Sequence, residues 1–125
     1  MTNQEIYDYF QKCGTFWLAT VNSDGNPQTR PFGLIMINDN KLYFSTGSGK
    51  KVYNEIIAKP EVQLGAWEKA LEWVRVSGTM HPVSDPAIRQ AVYDSEPRMK
   101  HFYNDPQDPN LGLLALNITS IEDYR

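Results

Sequence analysis

Ile6, Tyr9, Phe10 and Cys13 recur at helical intervals behind Thr2 and Glu5, whose spacing is that of a capping box. The pattern predicts an amphipathic helix over residues 3–12, with Gly14 placed to stop it. The period then changes. Thr15 to Val21 is rich in β-branched and aromatic residues, Ser23-Asp24-Gly25-Asn26-Pro27 is a turn signal, and Gln28 to Ile37 is a second extended run. After a turn at Asn38-Asp39-Asn40, Lys41 to Ser45 reads as a third strand, so three consecutive strands are expected in meander fashion.

Beyond the small residues Thr46-Gly47-Ser48-Gly49, a helix is expected from Lys50, with Val52, Tyr53, Ile56 and Ile57 as its apolar stripe and Pro60 as its end. Glu61 to Glu68 and Leu71 to Met80 read as two strands around Lys69-Ala70. Asp85 before Pro86 is an N-cap signal, with Ile88, Ala91 and Val92 as the apolar face. A further short helix is expected near Pro97, with Met99, Phe102 and Tyr103 inward. A polar loop over 104–110 and a closing strand over 111–118 complete the chain. Nothing divides the sequence, so residues 1–125 are read as one domain. About six strands, most of them antiparallel, with three or four short helices predict a mainly β fold. Its architecture is a closed or partly closed β-barrel, with an open antiparallel sheet carrying helices on one face as the alternative.

Charge narrows the list of partners. Lys plus Arg is 12 and Asp plus Glu is 15, a formal net charge of −3. That balance argues against a nucleic-acid partner held by a basic surface, while leaving room for a local basic pocket. The hydrophobic share of 41% and the absence of any apolar run long enough to span a bilayer predict a folded protein without a membrane partner. Cys13 is the only cysteine, which excludes an intrachain disulfide and suits a reducing, cytoplasmic setting.

The segment Ser45-Thr46-Gly47-Ser48-Gly49-Lys50-Lys51 leaves a strand and enters a helix, and it combines glycines, hydroxyls and two lysines where helix amides face outward. This suits a phosphate cradle, although a structural loop ending in solvated lysines uses the same residues. It is not a Walker A loop, because Phe44 stands where that pattern needs glycine and Lys51 where it needs Ser or Thr. Arg30, on the adjacent extended run, adds a group that can bind two phosphate oxygens at once. Trp17, Phe32, Tyr43, Phe44, Trp67 and Trp73 are candidates for stacking on a flat ring, with core packing as the commoner use of each. His81 and His101 form no metal-ligand spacing, no nucleophile elbow is present, and Asp105, Asp108 and Asp123 make no calcium loop.

Taken in order, Phe16-Trp17-Leu18-Ala19-Thr20-Val21, Asp24-Gly25-Asn26-Pro27, Thr29-Arg30-Pro31-Phe32-Gly33, Leu42-Tyr43-Phe44-Ser45-Thr46, Lys50-Lys51 and Trp73-Val74-Arg75-Val76-Ser77-Gly78 resemble the pyridoxamine 5′-phosphate oxidase-like family of FMN-binding split β-barrels. The resemblance implies a homodimer with FMN at the subunit interface. It places Arg30, Lys50 and Lys51 on the FMN phosphate, Ser45 and Thr46 in the loop contacts, and Arg30, Pro31 and Phe32 beside the isoalloxazine ring. Trp73 falls where larger members reach the flavin from the partner subunit. Ile35 stands where the authentic oxidases have a further lysine, and the C-terminal extension that binds pyridoxal in those enzymes has no counterpart up to Arg125. The expectation is therefore an FMN-dependent oxidoreductase acting on a substrate other than a B6 vitamer. The alternatives are a non-catalytic flavin-binding or sensing protein, or use of the same barrel for haem or F420.

Overall fold

The computed structural model describes residues 1–125. Helix α1 (Asn3–Cys13) is capped reciprocally: Glu5 N donates to Thr2 Oγ1 at 3.1 Å and Thr2 N donates to Glu5 Oε1 at 2.9 Å. Gly14 closes it at φ 78°, a conformation that favours glycine. There follow β1 (Phe16–Val21), β2 (Pro27–Phe32), β3 (Ile35–Asn38), β4 (Lys41–Gly47), α2 (Lys51–Ala58), β5 (Glu61–Lys69) and β6 (Glu72–Pro82). The chain ends with α3 (Pro86–Ser95), a 3-10 turn (Pro97–His101) and β7 (Leu111–Asp123). No helix is long and apolar enough to cross a membrane.

The seven strands form one sheet in the order β2-β1-β5-β6-β7-β4-β3, with antiparallel neighbours throughout. Its two edge strands, β2 and β3, are consecutive in the chain and separated only by Gly33 and Leu34. From Phe32 to Ile35 the backbone reaches at most about 11 Å. Seven strands laid flat would set the edges roughly 29 Å apart. The sheet must therefore curl until its edges nearly meet, which makes it a split β-barrel with the split between β2 and β3. The open-sheet alternative is not adopted.

Three expectations are corrected. The extended run over 28–37 is two strands, so the count is seven and the meander does not form: β2 pairs with β1, and β3 pairs with β4. Pro31 lacks the N–H a second neighbour would need, which suits an edge strand. The last strand continues to Asp123, because a register shift between Ser77 and Gly78 lets β6 and β7 stay paired past Ile118. Finally, Ile57, Phe102, Trp17 and Trp67 are exposed rather than inward.

Alternation along the strands fills two cores. Phe16, Leu18, Leu42, Phe44, Leu64 and Val76 line the interior with Phe10 of α1 and Val52 and Ile56 of α2. The rings of Phe10 and Phe44 meet Phe16 at 5.0 and 5.8 Å between centroids. Tyr43 points the other way and joins Met36, Val92, Tyr93, Met99, Leu111 and Leu113 in a second cluster beneath α3. The polar stretch 104–110 is fastened by Arg89, whose guanidinium donates to the carbonyls of Val83, Pro106, Asp108 and Leu111.

Candidate functional site

The split holds a cleft of about 340 Å³ lined by Arg30, Pro31, Phe32, Gly33 and Leu34 on one side and Ser45, Thr46, Gly47, Lys50 and Val52 on the other. Phe102 and Tyr103 complete it from the segment after the 3-10 turn. Six of the eight residues singled out in the sequence therefore share one cleft: Arg30, Pro31, Phe32, Ser45, Thr46 and Lys50. Their convergence follows from the curl, since β2 and β4 are far apart in sheet order.

Strand period sets the direction of Arg30. In β2 the odd positions 27, 29 and 31 are exposed while Gln28, Arg30 and Phe32 are partly buried, so Arg30 lies on the inner face. Its Nη1 donates to Leu18 O at 3.2 Å and its Nη2 donates to Glu55 Oε1 at 3.0 Å. The other N–H groups of this forked cation are left for an anion in the cleft. Lys50 stands at the N-cap of α2, and its aliphatic stem lies over Gly47, where an added Cβ would meet Lys50 Cγ at 3.4 Å. Ser48 serves the scaffold instead: Oγ donates to Pro109 O at 2.7 Å and N donates to Asn110 O at 2.9 Å.

The remaining two residues lie elsewhere. Lys51 is one helical step of about 100° round from Lys50. It lines a separate cleft with Val21, Asn22, Asn54 and Glu55, its Nζ 4.0 Å from Glu55 Oε2. Trp73 stacks on Tyr124, with centroids 4.5 Å apart, under the Arg75 guanidinium at 4.9 Å. It lines a third cleft with Trp17, Gly65 and Trp67, which shares no residue with the Arg30 cleft.

Glu55 is the residue that sequence reading missed. It is buried, accepts from Thr20 Oγ1 at 2.7 Å and from Arg30, and its Oε2 has no hydrogen-bond partner. A glutamate on a short helix reads as solvent-facing, yet Glu55 is three residues after Val52 and one before Ile56, both buried on the same face. Among the other candidates, burial pushes the Cys13 thiol up, which keeps it protonated. The exposed His81 lies 3.0 Å from Thr79 Oγ1 and lines no part of the cleft.

The structure is a curled seven-stranded barrel whose split carries an arginine and a lysine beside two hydroxyl side chains. Its family is given by sequence as well: the family model for pyridoxamine 5′-phosphate oxidase matches residues 2–125, and the chain belongs to that family. Among solved structures, a NimC/NimA family protein from Clostridium acetobutylicum is similar at TM-score 0.82 and 25% identity, covering 91% of this chain and 81% of the other. A protein described as a putative pyridoxamine 5′-phosphate oxidase from Listeria innocua gives TM-score 0.76 and 14% identity, covering 97% and 96%. HutZ, a haem storage protein from Vibrio cholerae, gives TM-score 0.73 and 16% identity, covering 96% and 92%. No curated protein matches the chain significantly.

Proposed function

We infer that the split cleft binds FMN and that the protein is an FMN-dependent oxidoreductase with a substrate other than a B6 vitamer. The observation that carries this reading is the meeting of Arg30 with Lys50, Ser45 and Thr46 in one cleft beside Pro31 and Phe32. A phosphate monoester carries about two negative charges at neutral pH. Arg30 and Lys50 face the cleft with a nearly matching positive charge, while Lys51 lies beside the Glu55 carboxylate in the neighbouring cleft. In this arrangement Arg30 and Lys50 hold the phosphate, the 30–34 backbone runs along the flavin, and Phe32 screens it from water. The bound flavin would supply the hydride or electron exchange, which asks no acid or base of the protein.

The haem alternative is less well supported, because Tyr103 is the only side chain lining the cleft of a type that serves as an axial ligand, and no His, Cys or Met joins it. At about 340 Å³ the cleft is at the small end of ligand pockets, so a flavin ring needs a further wall. A second copy of the chain fits that need. Trp17 and Trp67, exposed on one cleft, and the exposed Leu71 are apolar side chains that a second copy would cover. The expected product is a homodimer with FMN at its interface.

Titration of the purified protein with FMN, followed by flavin fluorescence and absorption, is expected to give saturable binding with a shifted flavin spectrum. Binding accompanied by turnover of NADH or NADPH with an artificial acceptor would place the protein among the oxidoreductases; binding without turnover would favour the sensing alternative. Absence of binding at high protein concentration would remove the flavin reading. Light scattering is expected to report a dimer, and a monomer at high concentration would contradict the shared site.

A further inference from the structure

The two groups that fix the Arg30 guanidinium are a main-chain carbonyl, Leu18 O, and the Glu55 carboxylate. Glu55 is itself fixed. Only 7% of its surface is exposed, and Thr20 Oγ1 donates to the same Oε1 that receives Arg30. Thr20 is on the inner face of β1, Arg30 is on the inner face of β2, and Glu55 reaches both from α2. Three elements therefore converge on one oxygen atom. Leu18 is paired with Arg30 across β1 and β2, so the second contact of the guanidinium comes from its own ladder neighbour.

We propose that Glu55, held by Thr20, is a positioning residue that presents Arg30 to the phosphate and so sets the preference of the cleft for a phosphorylated flavin over the same flavin without phosphate. This rests on the FMN reading above. An arginine side chain is long and free to rotate, and the benefit of its forked geometry is realised only when the fork is held in place before the anion arrives. Glu55 engages one N–H of the guanidinium and lies on the α2 side, so it orients the cation without occupying the cleft: Arg30 lines the split, whereas Glu55 lines the neighbouring cleft with Lys51 and Asn54. The carboxylate also tempers the cluster. Arg30 and Lys50 face the split while Glu55 draws on Arg30 from behind, so the cleft offers no more positive charge than one phosphate monoester balances, which disfavours a more highly charged diphosphate.

The discriminating quantity is the ratio of riboflavin to FMN dissociation constants, because riboflavin has the ring and ribityl chain without the phosphate. Glu55→Ala is expected to lower that ratio by about tenfold, the value of one charge-assisted hydrogen bond made less well. Riboflavin affinity itself should stay unchanged. Glu55→Gln retains an oxygen that accepts from Arg30 and is expected to recover most of the ratio. Because Gln also keeps the volume of Glu, it is the change in ratio at constant riboflavin affinity in Glu55→Ala that separates positioning from packing, a packing loss weakening both flavins alike. Thr20→Val, which removes only the hydroxyl, should lower the ratio in the same direction, and Thr20→Ser should restore it. If Glu55→Ala does not fold, the Thr20 pair decides the matter. A wild-type protein that prefers FMN together with variants that keep its ratio, or that bind FMN more tightly, would overturn the positioning role while leaving the FMN reading intact. A wild-type protein that binds neither flavin would overturn both.

Discussion

Arg30→Ala is expected to cost the protein stability as well as ligand. Removing the guanidinium leaves Glu55 only the exposed Lys51, 4.0 Å from Oε2, as a cationic neighbour, in a place where the carboxylate is buried and its Oε2 lacks a hydrogen bond. Breaking a buried pair from one side typically costs about 3–5 kcal/mol, because the surviving charge stays out of water. Arg30 retains 23% of its side-chain exposure, so water reaches one side of the pair and the low end of that range, about 3 kcal/mol, applies. The double variant Arg30→Ala with Glu55→Gln removes the stranded charge and is expected to recover about half of the loss, since the cost of an unpaired neutral group is roughly 1–3 kcal/mol. Denaturant unfolding of the wild type, the single variant and the double variant checks this. Equal stability of Arg30→Ala and wild type would mean that the ion pair does not tie α2 to the edge of the barrel. On the ligand side, the same change is expected to weaken FMN about tenfold to hundredfold and to leave riboflavin alone, as a lost charge-assisted contact is worth about 1.5–3 kcal/mol. Arg30→Lys is not a neutral replacement: an ammonium has one nitrogen where the guanidinium sets two, Nη1 on Leu18 O and Nη2 on Glu55 Oε1, in a fixed planar fork.

What could be read in the sequence was local chemistry, and what could not was partner choice at a distance. The capping box of Thr2 and Glu5 and the Asp85 cap with Pro86 are short-range signals present in the structure, and the turn expected at Lys69-Ala70 forms one residue later, at Ala70-Leu71, with Lys69 paired to Glu72. The break at Gly33-Leu34 was missed because residues 28–37 are extended almost throughout; alternation reports extension and not which strand lies alongside. Pro31 carried the available clue, since a residue without N–H belongs on an edge. For the site, Arg30 and the Ser45 to Lys50 loop were visible from residue type alone, and the curl of the sheet brings them together. Glu55 was hidden because its role comes from a β1 hydroxyl 35 positions away and a β2 cation 25 positions away. Phe102 was assigned inward from its spacing with Met99, but it is 67% exposed at the cleft, where its ring is free to meet a ligand.

The second large effect is expected at Gly78, in the middle strand of the barrel. A Cβ built there would lie 2.1 Å from Asn117 O, 3.0 Å from Asn117 C and 3.1 Å from Ile118 Cα. All three are main-chain atoms of β7, so no side chain can rotate to make room. The position also coincides with the register shift between Ser77 and Gly78, where β7 bends toward its neighbour. Gly78→Ala must therefore push β7 away along a ladder that runs from Leu114 to Asp123, or move the irregularity and flip the pairing beyond it. Overpacking that the core cannot relieve costs about 1–3 kcal/mol, and a contact with backbone alone belongs at or above the top of that range. Gly112 provides the contrast. Its added Cβ would meet the Tyr53 ring at 2.7 Å and Thr46 O at 3.0 Å, and the partly buried ring can turn aside. Gly112→Ala should accordingly cost less than Gly78→Ala in parallel denaturant titrations. Because β7 pairs with β4 as well as β6, displacing it would also disturb the strand that carries Ser45 and Thr46 into the cleft. Weakened FMN binding is thus expected in Gly78→Ala even where the protein remains folded, with the riboflavin to FMN ratio moving less than in Arg30→Ala. Wild-type stability in Gly78→Ala would show that the β6 and β7 pairing can slide cheaply at the bulge.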